Sequence, residues 1–139
     1  FIMPITKFNY KNRYIKYTLI DPFCYFHNKW VKSMTRNELA TQVDFFERKS
    51  QEQDFIIWRG LAFENVCLNN INLYLDIRGL KAGVKSITYW HYTANKEDID
   101  DKGAQIDILI EYQGNVYDII ECKYYNAEYI INQDYAQNL

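Results

Sequence analysis

The spacing of apolar residues predicts a β-hairpin and then a helix at the start of the chain. Residues 1–19 contain two β-favouring stretches on either side of segment 9–12, whose composition favours a turn. Asp21 and Pro22 predict a helix start, because Asp is a preferred N-cap and Pro is tolerated at the first helical position. Apolar residues at helical spacing extend this helix to about Met34.

The middle of the chain is predicted to be mainly helical. The polar stretch 35–53 either continues as a helix or forms a mobile connection. Segment 58–68 has an apolar stripe at helical spacing that includes Leu61 and Val66. A further helix is predicted around 72–80, where glycines then end the pattern.

The hydrophobic period changes to two in the last third of the chain. Strands are predicted at 84–92, 105–112 and 116–124, with a tight turn at 113–115 joining the second strand to the third. The tail, 127–139, has a helical pattern. This order of elements predicts an α/β domain with a mixed β-sheet flanked by helices.

Composition supports one packed domain and narrows the cellular setting. Hydrophobic residues make up 48% and charged residues 24% of the 139 positions, so disorder is not expected. The spacing of Cys24, Cys67 and Cys122 is not that of a metal site, and reduced thiols in the cytoplasm are expected. No apolar run reaches the roughly 20 residues of a membrane helix, so no membrane partner is expected. The chain starts without Met and ends within a helical pattern, which indicates a piece of a longer protein.

Net charge gives no support for a dedicated nucleic-acid coat protein. Sixteen Lys and Arg residues oppose eighteen Asp and Glu residues, and the formal charge is −2. Any nucleic-acid substrate must therefore be argued from local chemistry. Thirteen Tyr, eight Phe and three Trp residues indicate half-buried strand faces or a partner interface, such as that of a homodimer.

Three charged residues on the second and third predicted strands form a candidate site. Alternation makes Asp107 project opposite to Ile106 and Ile108, while Glu121 and Lys123 share one face of the next strand. The turn pairs these strands, so two carboxylates and an ammonium are expected to point into one space. The alternative is an exposed strand face with unrelated charges, although adjacent carboxylates repel each other unless a cation is present.

This residue set matches the needs of metal-assisted phosphodiester hydrolysis. Mg²⁺ prefers oxygen ligands and is usually held by one or two carboxylates and a substrate phosphate. We therefore expect Mg²⁺ or Mn²⁺ on Asp107 and Glu121, with Lys123 as the catalytic lysine that orients or deprotonates water. Glu64, in the preceding helix, either faces water or is a further metal ligand.

The same residues carry a resemblance to a known superfamily. Two segments resemble motifs II and III of the PD-(D/E)XK nucleases, namely Gly103-Ala104-Gln105-Ile106-Asp107 and Ile120-Glu121-Cys122-Lys123-Tyr124. The resemblance implies a restriction-endonuclease-like core that acts on DNA. It makes Asp107 the acidic residue of motif II, and Glu121 and Lys123 the E-x-K pair.

A broader resemblance covers nearly the whole chain. Segments 19–23, 58–64, 103–107 and 121–124 resemble the C-terminal region of prokaryotic AAA-type ATPases (the archaeal-type ATPase family), where a P-loop module precedes a winged helix and a nuclease-like domain. It implies three parts, which are a truncated winged-helix region with its wing hairpin and following helix (1–34), a connecting segment (35–56) and a nuclease-like domain (57–139), C-terminally incomplete.

The resemblance also names a partner and leaves two functions open. The partner that the resemblance implies is an N-terminal ATPase module in the full-length protein. No GxxxxGK[ST] motif occurs in this chain, so no ATP site is expected in this piece. The first function is a divalent-metal-dependent DNA nuclease. The alternative is a catalytically inactive module of that ATPase, which binds nucleic acid or a partner. A third hypothesis, from the aromatic content, is a dimerisation domain.

Overall fold

The chain combines helices with two small antiparallel sheets, which agrees with the α/β class. The computed structural model describes residues 1–10, 13–41, 43–97, 101–131 and 133. Strands and α-helices follow one another in the order β1 (Ile2–Thr6), β2 (Ile15–Leu19), α1 (Pro22–Phe26), α2 (Arg36–Thr41), α3 (Phe45–Lys49), α4 (Gln53–Asn69), α5 (Ile71–Arg78), β3 (Val84–Tyr92), β4 (Ala104–Tyr112) and β5 (Tyr117–Ile120).

The N-terminal hairpin and the helix start are confirmed. Strands β1 and β2 pair antiparallel, in a register that runs from Ile2 with Leu19 to Thr6 with Ile15. The Asp21 side chain caps α1 by accepting a hydrogen bond of 2.7 Å from the backbone N–H of Cys24. Helix α1 continues into a π-helical segment, His27–Val31, and the helical structure ends there.

The helices of the middle region differ from the prediction in their lengths and in which residues they bury. The stretch after Met34 forms two short helices, α2 and α3, and α4 is longer than the predicted segment. Leu61 and Val66 are exposed, so the predicted apolar stripe is wrong at these positions. Helix α4 packs on the core through Phe63, Cys67 and Leu68 instead.

The second sheet has the order β3-β4-β5, and both of its pairings are antiparallel. The turn between β4 and β5 places Gly114 and Asn115 in the left-handed region, with φ of 80° and 59°. A mixed sheet was expected, but every strand pairing in the two sheets of the described residues is antiparallel. The parallel pairing there is one isolated bridge, between Lys7 and Tyr89, which connects the hairpin to β3.

The end of the described chain departs from the prediction. Strand β5 ends at Ile120, so Glu121 and Lys123 lie just beyond it rather than within a strand reaching residue 124. Residues 127–131 are not helical, which corrects the predicted helix there. The rest of that predicted helix falls outside the described residues, except for Gln133.

The main core lies between α4 and α5 and one face of the second sheet. Ile110 is 0% exposed and Leu75 is 2% exposed, and both belong to a cluster that includes Cys122. Met3 and Ile5 of the hairpin pack against the same cluster. The hairpin therefore shares its core with the later part of the chain. None of the described helices combines the length and the apolar character that crossing a bilayer requires.

Candidate functional site

Asp107 lies at a β-bulge in β4. Two residues of β4, Asp107 and Ile108, stand opposite one residue of β3, Tyr89. The flanking pairs are Thr88 with Leu109 and Trp90 with Ile106. Such a bulge bends the strand and redirects a side chain. The expected strict alternation of Asp107 against its neighbours is therefore interrupted, and Asp107 lines the same cavity as Ile106.

A cavity of about 270 Å³ brings Asp107 and Glu64 together. Helix α4 supplies Glu64, and β4 supplies Asp107. The other lining residues come from β2, β3 and β4 and are Lys16, Tyr89, His91, Gln105 and Ile106. Two carboxylates that are distant in sequence thus face one partly enclosed polar space.

Hydrogen bonds hold the Asp107 carboxylate at both oxygens. Gln105 Nε2 donates to Oδ1 over 2.8 Å, and the backbone N–H of Cys122 donates to Oδ2 over 2.9 Å. Cys122 is buried in the core, as expected for a small hydrophobic residue. The backbone that follows β5 is therefore fastened to the Asp107 side chain.

Glu121 and Lys123 flank Cys122, whose N–H bonds to Asp107, but neither of them lines the cavity. Ile108 pairs with Ile120, so the register continued by one residue places Glu121 opposite Asp107. Lys123 Nζ lies 2.5 Å from Glu121 Oε1 in an ion pair, in which the Glu121 side chain is 24% exposed. Glu121 is thus neutralised mainly by its neighbour two residues away.

The electrostatics of Glu64 link all four predicted residues. Partial burial raises the pKa of the Glu64 carboxyl, and the negative charges of Asp107 and Glu121 raise this pKa further. The positive charges of Lys16 and Lys123 act in the opposite direction. The structure therefore brings Glu64, Asp107, Glu121 and Lys123 into one electrostatic neighbourhood.

The carboxylates fit a loosely held metal ion better than a closed metal site. Among the described residues, no group of three or more His, Cys, Asp or Glu side chains is arranged to hold a metal. Glu121 pairs with Lys123, and the Asp107 oxygens accept hydrogen bonds from protein donors. Glu64 and Asp107 still suit Mg²⁺, which is commonly bound by one or two carboxylates, waters and a substrate phosphate.

Sequence reasoning missed three side chains that line this cavity, namely Lys16, Tyr89 and His91. His91 has no partner at metal-ligand spacing in the sequence and was not expected at a site. The three residues reach the cavity through the contact between the hairpin and β3, which joins positions more than 70 residues apart. The first sixteen residues contain several basic side chains, among them Lys7, Arg13 and Lys16, but the sequence does not show that Lys16 reaches this cavity.

A larger and mostly apolar cavity of about 580 Å³ lies between α1 and α4. It borders an aromatic cluster in which the Trp58 ring contacts Tyr25, Phe26, Trp30 and Phe55. The cavity shares no lining residue with the carboxylate site. Its charged lining residues are Lys29 and Asp54, so this cavity has a single carboxylate and lacks the pair that the first cavity has.

No family model matches the chain, and searches against curated proteins and solved structures also found no match.

Proposed function

We propose that this chain is a divalent-metal-dependent, nuclease-like domain that acts on DNA. The observation that carries the proposal is the meeting of Glu64 and Asp107 in one polar cavity, beside the Glu121–Lys123 ion pair. A helix, a bulged strand and the segment after a third strand supply these groups. This arrangement supports the restriction-endonuclease-like core that the two sequence motifs imply.

In this proposal Asp107 and Glu64 hold Mg²⁺ or Mn²⁺, and Glu121 is a nearby third carboxylate. The bound cation would stabilise charge on phosphoryl oxygens and lower the pKa of a bound water. Lys123 has the catalytic role of orienting that water and offsetting phosphate charge. Glu121 positions the Lys123 ammonium, and the hydrogen bonds to Asp107 keep its carboxylate oriented before substrate arrives.

The proposal extends to the longer protein. There, the chain follows an ATPase module of the AAA type, and β1 and β2 form the wing of a winged-helix region. The cleavage activity would then be attached to an ATPase module. The hairpin's own contribution to the cavity, Lys16, supports a combined role for the two regions.

The test is cleavage of supercoiled and branched DNA in Mg²⁺ or Mn²⁺. Lys123→Ala should reduce the rate by about 10²–10⁴-fold, the usual range for losing a group that assists proton transfer. Asp107→Asn removes a proposed metal ligand and should also strongly reduce the metal-dependent rate. Asp76→Asn and Lys32→Ala change the same charges at exposed positions outside the cavity and should cleave normally. Wild-type protein that cuts neither DNA, or Asp107→Asn protein that cuts normally, would contradict the proposal.

Metal binding can be tested without relying on activity. Mg²⁺ that binds the folded state should raise the melting temperature in a concentration-dependent manner. This rise should disappear in Asp107→Asn and remain in Asp76→Asn. An equal rise in both variants would place the metal elsewhere.

A catalytically inactive binding module of the ATPase is the second candidate. It is favoured by the lack of a three-ligand metal group among the described residues, and by the protein donors that already satisfy both oxygens of Asp107. DNA binding without cleavage, unchanged by Lys123→Ala, would identify this function.

A further inference from the structure

We infer that the cavity has a wall that binds an unpaired nucleotide of a DNA strand. This basic–aromatic wall consists of Lys7, Lys16, Tyr89 and His91. The inference rests on the proposed function, which makes DNA the substrate. It specifies in addition that the DNA enters the site as an unpaired strand. Tyr89, His91 and Lys16 also line the carboxylate cavity, so a strand held on the wall would pass beside Asp107 and Glu64.

The four side chains form a continuous row of cations and rings. Lys16 Nζ lies 6.0 Å from the centre of the Tyr89 ring. The Tyr89 and His91 rings are nearly parallel, with 7° between their planes and 5.8 Å between their centres. Lys7 Nζ is 3.5 Å from His91 Nε2, at the other end of the row.

The backbone around Tyr89 holds this row in place. Tyr89 forms the parallel bridge with Lys7, and its carbonyl accepts a hydrogen bond of 2.9 Å from the N–H of Phe8. The Tyr89 hydroxyl donates to the carbonyl oxygen of Tyr14 over 3.2 Å. The ring is therefore anchored at both ends, which reduces the entropy lost when a base stacks on it.

Among the residues that the structure describes, no carboxylate lies within ion-pair distance of the Lys16 ammonium. Lys16 is exposed and makes no ion pair with any described residue, whereas Lys49, Lys81 and Lys85 each do. Its ammonium is close enough to influence Glu64 electrostatically. A phosphate on Lys16 would thus lie within reach of the carboxylate cavity.

Two aromatic rings with an ammonium group at each end can bind the bases and phosphates of a single nucleic-acid strand. Proteins that bind single strands combine a positive groove for the backbone with aromatic side chains on which bases stack. In a duplex the base faces are covered by neighbouring base pairs, so a base can stack on Tyr89 or His91 only when it is unpaired. The expected substrates are therefore single strands and duplexes with an unpaired branch.

The test measures DNA binding in EDTA, where no metal-dependent cleavage occurs. Fluorescence anisotropy would compare a labelled 15-nucleotide single strand with a blunt duplex of the same sequence. Tyr89→Leu should weaken single-strand binding by roughly 5- to 150-fold, the usual effect of losing one stacked base. Tyr89→Phe keeps the ring and loses only the hydroxyl that anchors it to Tyr14, so its loss of affinity should be clearly smaller than that of Tyr89→Leu.

The contribution of Lys16 has a separate signature in the salt dependence. Lys16→Ala should reduce the slope of log affinity against log salt by about 0.7, as expected for one lost phosphate contact on a single strand. Tyr89→Leu should leave that slope unchanged. Lys32→Ala removes the same charge from an exposed position outside the cavity and is the matched control.

Three results would overturn the inference. They are equal affinity for the blunt duplex, equal losses in Tyr89→Phe and Tyr89→Leu, and equal losses in Lys16→Ala and Lys32→Ala. These outcomes are independent of catalysis. If the wild-type protein cleaves DNA and neither Lys16→Ala nor Tyr89→Leu weakens binding, the wall alone is rejected. If the wild-type protein never cleaves DNA but these two variants lose affinity as expected, the nuclease proposal alone is rejected.

Discussion

At the scale of single residues, the ionised Glu64 side chain destabilises the folded state. Its carboxyl is half-buried and faces the charges of Asp107 and Glu121, so ionisation costs more in the folded chain than in water. Lys16 and Lys123 offset only part of this cost. A site that tolerates such repulsion is suited to a bound cation, which would reverse the electrostatic balance.

Glu64→Gln should therefore change how stability depends on pH. The pKa of Glu64 is raised above its ordinary value of 4.5, so the folded state binds this proton more tightly than the unfolded state. The stabilising contribution of protonated Glu64 is complete below about pH 4.5 and is lost as pH rises through the raised pKa. Relative to wild type, Glu64→Gln should thus gain stability between pH 4 and pH 8, as measured by urea unfolding in EDTA.

Glu47→Gln is the control for this measurement, because Glu47 is an exposed glutamate on α3. It should show little pH-dependent difference from wild type. A Glu64→Gln effect of the same size at every pH would mean that packing, rather than charge, decides the outcome at this position.

At the scale of elements, the period of apolar residues was sufficient to predict β3 and β4 closely. It could not predict where β5 ends. After Ile120 the backbone N–H of Cys122 bonds to the Asp107 side chain, so a side chain takes the place of the next ladder partner. The bulge at Asp107 and Ile108 was equally hidden, because the opposing strand decides how residues pair.

The same limit applies to the candidate site. Asp107, Glu121 and Lys123 were predictable because a short turn joins their segments, and Glu64 because it is an acid in a largely apolar helix. Lys16, Tyr89 and His91 were not, since their place depends on how the hairpin docks on β3. Local patterns carry no information about that long-range contact.

The turn between β4 and β5 gives a prediction with an internal control. Gly114 has φ of 80°, where a side chain is strained, yet a methyl group there would meet no atom within 4 Å. Gly114→Ala should cost about 1 kcal/mol of unfolding free energy through backbone conformation alone. Gly60, within α4, also has open space, and Gly60→Ala should stabilise by about 0.5–1 kcal/mol.

Urea unfolding of both variants measures the two effects. Opposite signs are expected, because the two substitutions add the same methyl group without a clash and differ in backbone conformation. Destabilisation of both variants by similar amounts would show that the added methyl groups meet atoms after all.

At the scale of the whole molecule, the hairpin and the second sheet are expected to unfold together. Met3 and Ile5 pack on the core cluster that contains Ile110, and Asn69 of α4 donates a hydrogen bond of 2.8 Å to the carbonyl of Ile20. Lys16 reaches the carboxylate cavity from the same hairpin. These contacts cross the boundary at residue 57 that the family resemblance implies.

Ile110→Ala tests whether that boundary separates independently folding parts. Ile110 is 0% exposed, so its truncation should cost about 2–5 kcal/mol, a large share of the roughly 5–15 kcal/mol that stabilises a domain. Hydrogen exchange read by mass spectrometry should show the slowest amides of β1 and β2 losing as much protection as those of β3 and β4, because one cooperative unit opens as a whole. Leu39→Ala, at an exposed position on α2, should change neither region. Unchanged protection in the hairpin would establish residues 1–34 as a separate unit, and the docking of Lys16 at the cavity would then be an equilibrium between two parts rather than a feature of one fold.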